Sequence, residues 1–243
     1  MVYPKLPNKH LHEAFWHPKD FKKEERPKKF PKKFIFIYYD KLFKYLKRKY
    51  KLTKIFYHDL FTVYRYRDIG IILMGGIGCP HAVAVMESLI AKGANTFLSI
   101  GTAGGLQKRG IFLCDKALRD EGTSYHYISH GHYSYPDEKL TKRLGKFIEK
   151  QELGYNVGST WTIDAPYRET LKEIRKYSKE GIKTVEMEAS ALFAVAKIRK
   201  AKVASAFVVS DTLFEKERVS LMEDIDFKKA LNKLADAAVE CLR

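Results

Sequence analysis

Cysteine is scarce in this chain of 243 residues, and Cys79, Cys114 and Cys241 are odd in number and far apart. That spacing argues against a disulfide framework and a zinc knuckle, and it fits a reduced, cytoplasmic setting. Long apolar runs are missing as well. None approaches the roughly 18 residues of a membrane span, so no membrane partner is expected. Pro4, Pro7 and several charges interrupt the first residues, which do not read as a secretory signal. Acidic side chains are sparse at the same end. The first 54 residues hold 17 Lys or Arg against five Asp or Glu, a net of +12 out of the chain's +16. The remainder is close to balanced. With 45% hydrophobic residues there is apolar material for a sizeable core, and the length fits one domain.

The basic end divides in two. Lys22 to Lys33 is mostly prolines and lysines, whereas Lys41 to Lys54 reads as a basic helix with aromatic spacers. We therefore expect a basic arm over residues 1–33 and a single domain over 34–243. Clustered cations attract polyanions by releasing counterions, so a nucleic-acid partner is one reading. A solvated arm and helix face is another, and steering of an anionic substrate a third. No recognition motif for nucleic acid accompanies the charge.

Beyond the arm, short apolar runs alternate with helical periods. Strands are expected at Phe34 to Tyr39, Ile69 to Met74, Thr96 to Ile100, Ile111 to Leu118, Tyr155 to Thr162, Lys183 to Val185 and Val203 to Ser210. Helices are expected from Pro80 to Gly93 and at Glu138 to Lys150, Tyr167 to Lys179, Ala189 to Arg199 and Asp226 to Leu242. The alternation predicts a three-layer α/β/α domain around a parallel or mixed sheet. In such sheets ligands gather at the carboxyl ends of strands, where the glycine clusters fall.

Three segments carry chemistry. Gly101-Thr102-Ala103-Gly104-Gly105 reads as a turn that lets backbone approach a ligand, with amides able to form an anion nest; tight turns also use glycine for purely steric reasons. No Gly-Lys-Ser/Thr follows it, so it is not a Walker loop, and Gly75, Gly76 and Gly78 do not complete a dinucleotide fingerprint. Val185-Glu186-Met187-Glu188 sets two carboxylates around a thioether at a strand end, which suits a sugar with neighbouring hydroxyls. Glu186 reads equally well as an acid satisfying a helix N-terminus. Asp211 follows a buried apolar strand, as a general acid would, or as a helix N-cap would. His126, His130 and His132 have a spacing open to metal, but they lie in a glycine- and tyrosine-rich loop, and no metal is expected. Cys79 stands where a helix start favours a thiolate, though a small packing residue is the plainer role. Tyr125, Tyr127, Tyr133 and Tyr135 fit a pocket lining or a core cover equally.

Gly-Ile-Gly-x-Pro at 76–80, Gly-Thr-Ala-Gly-Gly-Leu at 101–106, Val-Glu-Met-Glu-Ala at 185–189 and Ser-Asp at 210–211 stand in the order of one family. The chain resembles the nucleoside phosphorylases, which include uridine phosphorylase, hexameric purine nucleoside phosphorylase and the methylthioadenosine nucleosidases. The stretches 119–127 and 161–170 are similar to its uridine-phosphorylase-like branch. The resemblance implies a mixed, partly barrel-like sheet flanked by helices, and cleavage of a nucleoside's N-glycosidic bond. It places ribose ligands at Met187 and Glu188 with Glu186 beside them, and the base and phosphate turn at Thr102, Ala103 and Gly104. It places the base-stacking position near Pro166, with Tyr167 adjacent, and the acid that protonates a purine at Asp211. His10 or His12 would close a neighbouring subunit's sugar site, which implies a homo-oligomer, dimer or hexamer.

The departures all concern phosphate. Ser99 stands where family phosphorylases carry an arginine, Tyr38-Tyr39-Asp40-Lys41 replaces a Gly-Asp-Pro loop, Lys44 is the nearest cation there, and no arginine falls at 56–58. Lysine does not replace a guanidinium fork one for one; Arg119 or Arg168 is the substitute cation, alongside Thr102. Three functions follow from the resemblance and its gaps. The first is phosphorolysis to base and ribose 1-phosphate, purine before uridine, with inorganic phosphate as co-substrate and no cofactor. The second is hydrolysis, and the third a weakly catalytic nucleoside- or nucleic-acid-binding protein.

Overall fold

The computed structural model describes residues 4–20, 30–214 and 219–243. Most of the proline- and lysine-rich stretch of the expected arm lies outside them. Among the described residues eleven strands form one mixed sheet: β1 (Lys33–Ile37), β2 (Thr53–His58), β3 (Phe61–Tyr66), β4 (Ile69–Met74), β5 (Thr96–Gly105), β6 (Ile111–Asp120), β7 (Tyr133–Ser134), β8 (Asn156–Ile163), β9 (Thr184–Glu186), β10 (Lys202–Thr212) and β11 (Val219–Ser220). Six α-helices of the described residues cover it: α1 (Asp40–Lys49), α2 (Cys79–Ala91), α3 (Glu138–Lys150), α4 (Leu171–Lys179), α5 (Ala189–Arg199) and α6 (Ile225–Leu242).

Strand β10 pairs parallel to β5 and antiparallel to β6. From there β6 runs parallel to β8, β8 parallel to β9, and β9 antiparallel to β5, which closes a five-stranded barrel. Strands β1, β4, β3 and β2 extend the sheet beyond β5. The expected α/β architecture with a mixed, partly barrel-like sheet is what forms. Strands β1, β4, β5 and β10 are apolar along most of their length because both faces are covered. One core joins α1, α3 and α6 through Leu42, Leu144 and Leu234, and the other joins α2 and α5 through Met86 and Phe193. A third cluster under α4 centres on Trp161, whose indole N–H donates to Asp120 at 2.8 Å.

The basic helix is docked through chemistry as well as packing. Asp236 of α6, 4% exposed, accepts from Tyr45 (2.7 Å), Lys49 (2.7 Å) and Tyr50 (2.8 Å). A buried carboxylate satisfied three times fixes α1 against α6. Several expected boundaries move. The helix expected over 41–54 ends at Lys49, since Lys51 takes a left-handed φ of 49°. Residues 53–66 then form an antiparallel hairpin that charge-based reading passed over. The helix expected from Tyr167 starts at Leu171, where Thr170 and Glu173 form a reciprocal capping box. The strand expected to reach Tyr39 stops at Ile37, which releases Tyr38 toward the barrel mouth.

The glycine segment 101–105 is a correction. It is the second half of β5, with Gly101 opposite Phe207 and Gly104 opposite both Asp211 and Val185. A Cβ on Gly104 would lie 2.9 Å from Val185 Cγ1 and 3.0 Å from Leu213 Cδ1. Glycine is there so that three strands can close the barrel. The backbone that was expected to form an anion nest is engaged in sheet pairing.

Candidate active site

The site grows from the barrel mouth. Strand β9 ends at Glu186, which pairs with Thr162 of β8 and is 7% exposed. Its Oε1 accepts from the Thr162 hydroxyl at 2.5 Å. Its Oε2 accepts the backbone N–H groups of Glu188 (2.8 Å) and Ala189 (2.7 Å), so the carboxylate caps α5. Of the two readings of Glu186, this geometry is that of the helix-terminus acid, and it also fixes the backbone that carries Glu188.

Glu188 is 8% exposed, and its Oε1 accepts the Gly78 N–H at 2.5 Å. Gly78 has φ 95° and ψ 157°, a region open essentially to glycine alone. The turn after β4 thus presents an amide to a carboxylate 110 residues away. Burial raises both Glu186 and Glu188 well above the ordinary carboxylate range; the Glu186 carboxylate adds to the rise of Glu188, and Glu121 to that of Glu186. No cation figures among the groups acting on Glu188.

Asp211 lies in β10 just past an irregularity after Val209, opposite Gly104 and Ser220. It is 9% exposed and accepts from the Ser210 hydroxyl at 2.8 Å. The N-cap alternative is corrected, because Asp211 and Thr212 continue the strand. The bare face of Gly104 lies against it, with the position of a Cβ 3.7 Å from Asp211 Oδ2.

Glu121 is an acid that sequence reasoning passed over within the 119–127 stretch. It is 6% exposed, accepting from the Ser190 hydroxyl (2.8 Å) and the Ser124 N–H (2.9 Å). It directly follows strand β6, and that placement was the available signal. Cys79, Glu121 and Asp164 bring ligand atoms within 4.8 Å of one another. Cys79 stays a thiol, donating to Met187 O at 3.1 Å, and burial with Glu121, Glu186 and Glu188 nearby pushes it up. The helix start does not make it a thiolate. Among the described residues His130 and His132 join no such group and are exposed.

A model of the phosphorylase superfamily matches residues 41–243. The chain belongs to the phosphorylase superfamily. It is 34% identical over 141 residues to guanosine phosphorylase from Halorubrum lacusprofundi, covering 56% of this chain and 58% of that relative, so the match spans little more than half its length. The structure of uridine phosphorylase from Vibrio fischeri ES114 is similar with a TM-score of 0.73 and 26% identity, covering 90% of this chain and 96% of that one. Purine nucleoside phosphorylase from Toxoplasma gondii shares the fold, at TM-score 0.77 and 16% identity over 90% of this chain and 95% of that one.

The remaining residues of interest occupy distinct places in this superfamily fold. Thr102 and Ala103 lie on β5, where Ala103 O accepts from the Ser210 hydroxyl at 3.4 Å. Met187 is half-buried between the two glutamates. Pro166 and Tyr167 sit in a short 3-10 turn, and the Tyr167 ring is 94% exposed. Arg119 is buried, donating to Ser124 Oγ (2.8 Å), Ser129 O (2.8 Å) and Gly131 O (3.3 Å), with its guanidinium 4.2 Å from the Tyr125 ring. Its Nη2 is buried with no hydrogen-bond partner. His10 is half-buried and His12 exposed around a 3-10 turn of the arm. A cleft of about 860 Å³ opens between that arm, the hairpin tip at Leu60, α2 and the turn at Gly122 to Tyr127. It reaches Asp164 and so adjoins the acidic corner of the site.

Proposed function

We propose that the protein cleaves the N-glycosidic bond of a purine nucleoside and releases the free base. The observation that carries this reading is the acidic constellation at the barrel mouth: Glu188 held by the Gly78 amide, Glu186 behind it, and Asp211 across the Gly104 gap. As the bond breaks, positive charge grows on the sugar, and a carboxylate bound to its hydroxyls stabilises that charge in a site shielded from water. Met187 gives the ribose an apolar wall. Electron density leaves with the base, and a proton passed through Asp211 to a purine ring nitrogen relieves it. Uridine offers no equivalent nitrogen at that place, so Asp211 favours purines. The relative named guanosine phosphorylase supports starting with guanosine.

The exposed Trp16 on the arm and Leu60 on the hairpin tip border the cleft, which supports a homo-oligomer covering this face. Light scattering on the purified protein would return a multiple of 28.2 kDa; a monomer at micromolar concentration would contradict it. Activity is tested with guanosine, inosine, adenosine, uridine and cytidine, following free base by chromatography. Purine release exceeding uracil release is expected. Uridine as the preferred substrate, or no release from any of the five, would contradict the proposal.

A further inference from the structure

Beside the sugar carboxylates lies a corner that should attract an anion. Strand β1 ends there beside β5, α1 begins there, and an α-helix N-terminus favours negative charge. Each feature is already occupied. The Tyr38 ring lies against Gly101, where a Cβ would come 3.3 Å from Tyr38 Cδ2, and the Tyr38 hydroxyl is 3.1 Å from Ser99 Oγ. The first turn of α1 carries its own carboxylate, Asp40, paired with Lys44 at 2.6 Å, and Lys41 pairs with Glu223 at 3.2 Å. Both nearby lysines are exposed, and the Arg119 guanidinium is held among Ser124, Ser129 and Gly131.

Resting on the nucleoside-cleaving reading above, we propose that Tyr38, seated over Gly101 and tied to Ser99, closes the anion corner, so that water and not phosphate takes the sugar. The groups acting most strongly on the Tyr38 phenol, besides its burial, are Glu188, Glu186 and Ser99, and burial holds the phenol neutral. A phosphate dianion entering here would meet a space already filled by the Tyr38 ring, beside two carboxyl groups whose charge would repel it. Water carries no such penalty. In the step itself the C1′–N bond breaks with its electron pair leaving on the base, and the base takes a proton through Asp211. The water oxygen bonds to C1′, and the proton it sheds returns to Asp211 by way of solvent. The products are free base and free ribose.

The test has two arms. In the first, inorganic phosphate binding is measured by calorimetry on the wild-type protein and on Y38G/S99R, which empties the corner and supplies a guanidinium. The wild-type should show no saturable binding below 10 mM, on the order of the weakest useful affinities, and the double variant should acquire it. Y38F keeps the ring and should behave as wild-type. Saturable phosphate binding by the wild-type protein, lost on adding arsenate as competitor, would overturn the inference whether or not the protein turns over. In the second arm guanosine is incubated in H2-18O with and without phosphate. Equal rates, with the label in free ribose, are expected; phosphate-dependent release of ribose 1-phosphate would overturn the inference. Failure of base release in every buffer would instead count against the nucleoside-cleaving reading, and the binding arm would still decide what Tyr38 does.

Discussion

The two ends of the barrel mouth are built to opposite electrostatic rules. At one end Glu186 and Glu188 are buried together, held by a threonine hydroxyl and three backbone amides, with mutual repulsion accepted. At the other, where a helix and two strands converge, the space holds a neutral phenol and a serine. Burying a carboxylate is costly unless its lone pairs are met. This chain retains such a pair while Tyr38 and Ser99 fill the neighbouring corner. The basic segment does not redress the balance at the mouth, because α1 turns Leu42, Phe43 and Leu46 inward and its lysines outward.

The comparison is broken most severely at the acidic end. Replacing Asp211 by Asn should lower kcat on guanosine by about 10²-fold or more while leaving any weak uridine cleavage unchanged. A parallel loss on both substrates in steady-state assays would remove Asp211 from base protonation. A smaller effect should follow Gly78→Ala. The φ of 95° strains an alanine by about 1–3 kcal/mol. The amide on Glu188 should shift with it, so kcat falls about tenfold and Tm drops together; a thermal melt and an assay on the same sample would show both. An unchanged melt would mean the turn relaxes freely.

Smaller still is a pH effect that separates charge from fold. Both glutamates are raised above the ordinary value of 4.5, so the folded state binds more protons than the unfolded chain as pH rises from there into the neutral range. Ligand-free stability should therefore fall across that window. Glu188→Gln keeps the acceptor for Gly78 and removes one charge, so its Tm should decline less steeply with pH and meet or exceed the wild-type value at pH 8. A steeper decline would contradict the electrostatic account. At the opposite end Ser99→Ala, which only removes the hydroxyl paired with Tyr38, should change base release by less than about twofold.

Much of this was legible in the sequence, for physical reasons. The runs that became β4 and β10 are apolar because they are covered on both faces, and α3 carries a clear start signal in Asp137. The acids Glu188 and Asp211 stood out as charges directly beside buried segments. The hairpin at 53–66 was hidden because Lys54, Arg65 and three tyrosines leave no clean period-two pattern. The glycines at 101–105 resembled a loop, since their reason for being glycine, contact with Val185 and Val209, lies on strands distant in sequence. The Gly78–Glu188 bond and the Tyr38–Ser99 contact are likewise long-range, and no local pattern announces them.

The most direct measurement is guanine release from guanosine by wild-type protein and by Glu188→Ala at equal concentration, with a thermal melt on each. The account predicts steady release by the wild-type protein and a loss of about 10²–10³-fold in the variant with its cooperative melt retained. Equal rates in the two proteins would contradict it.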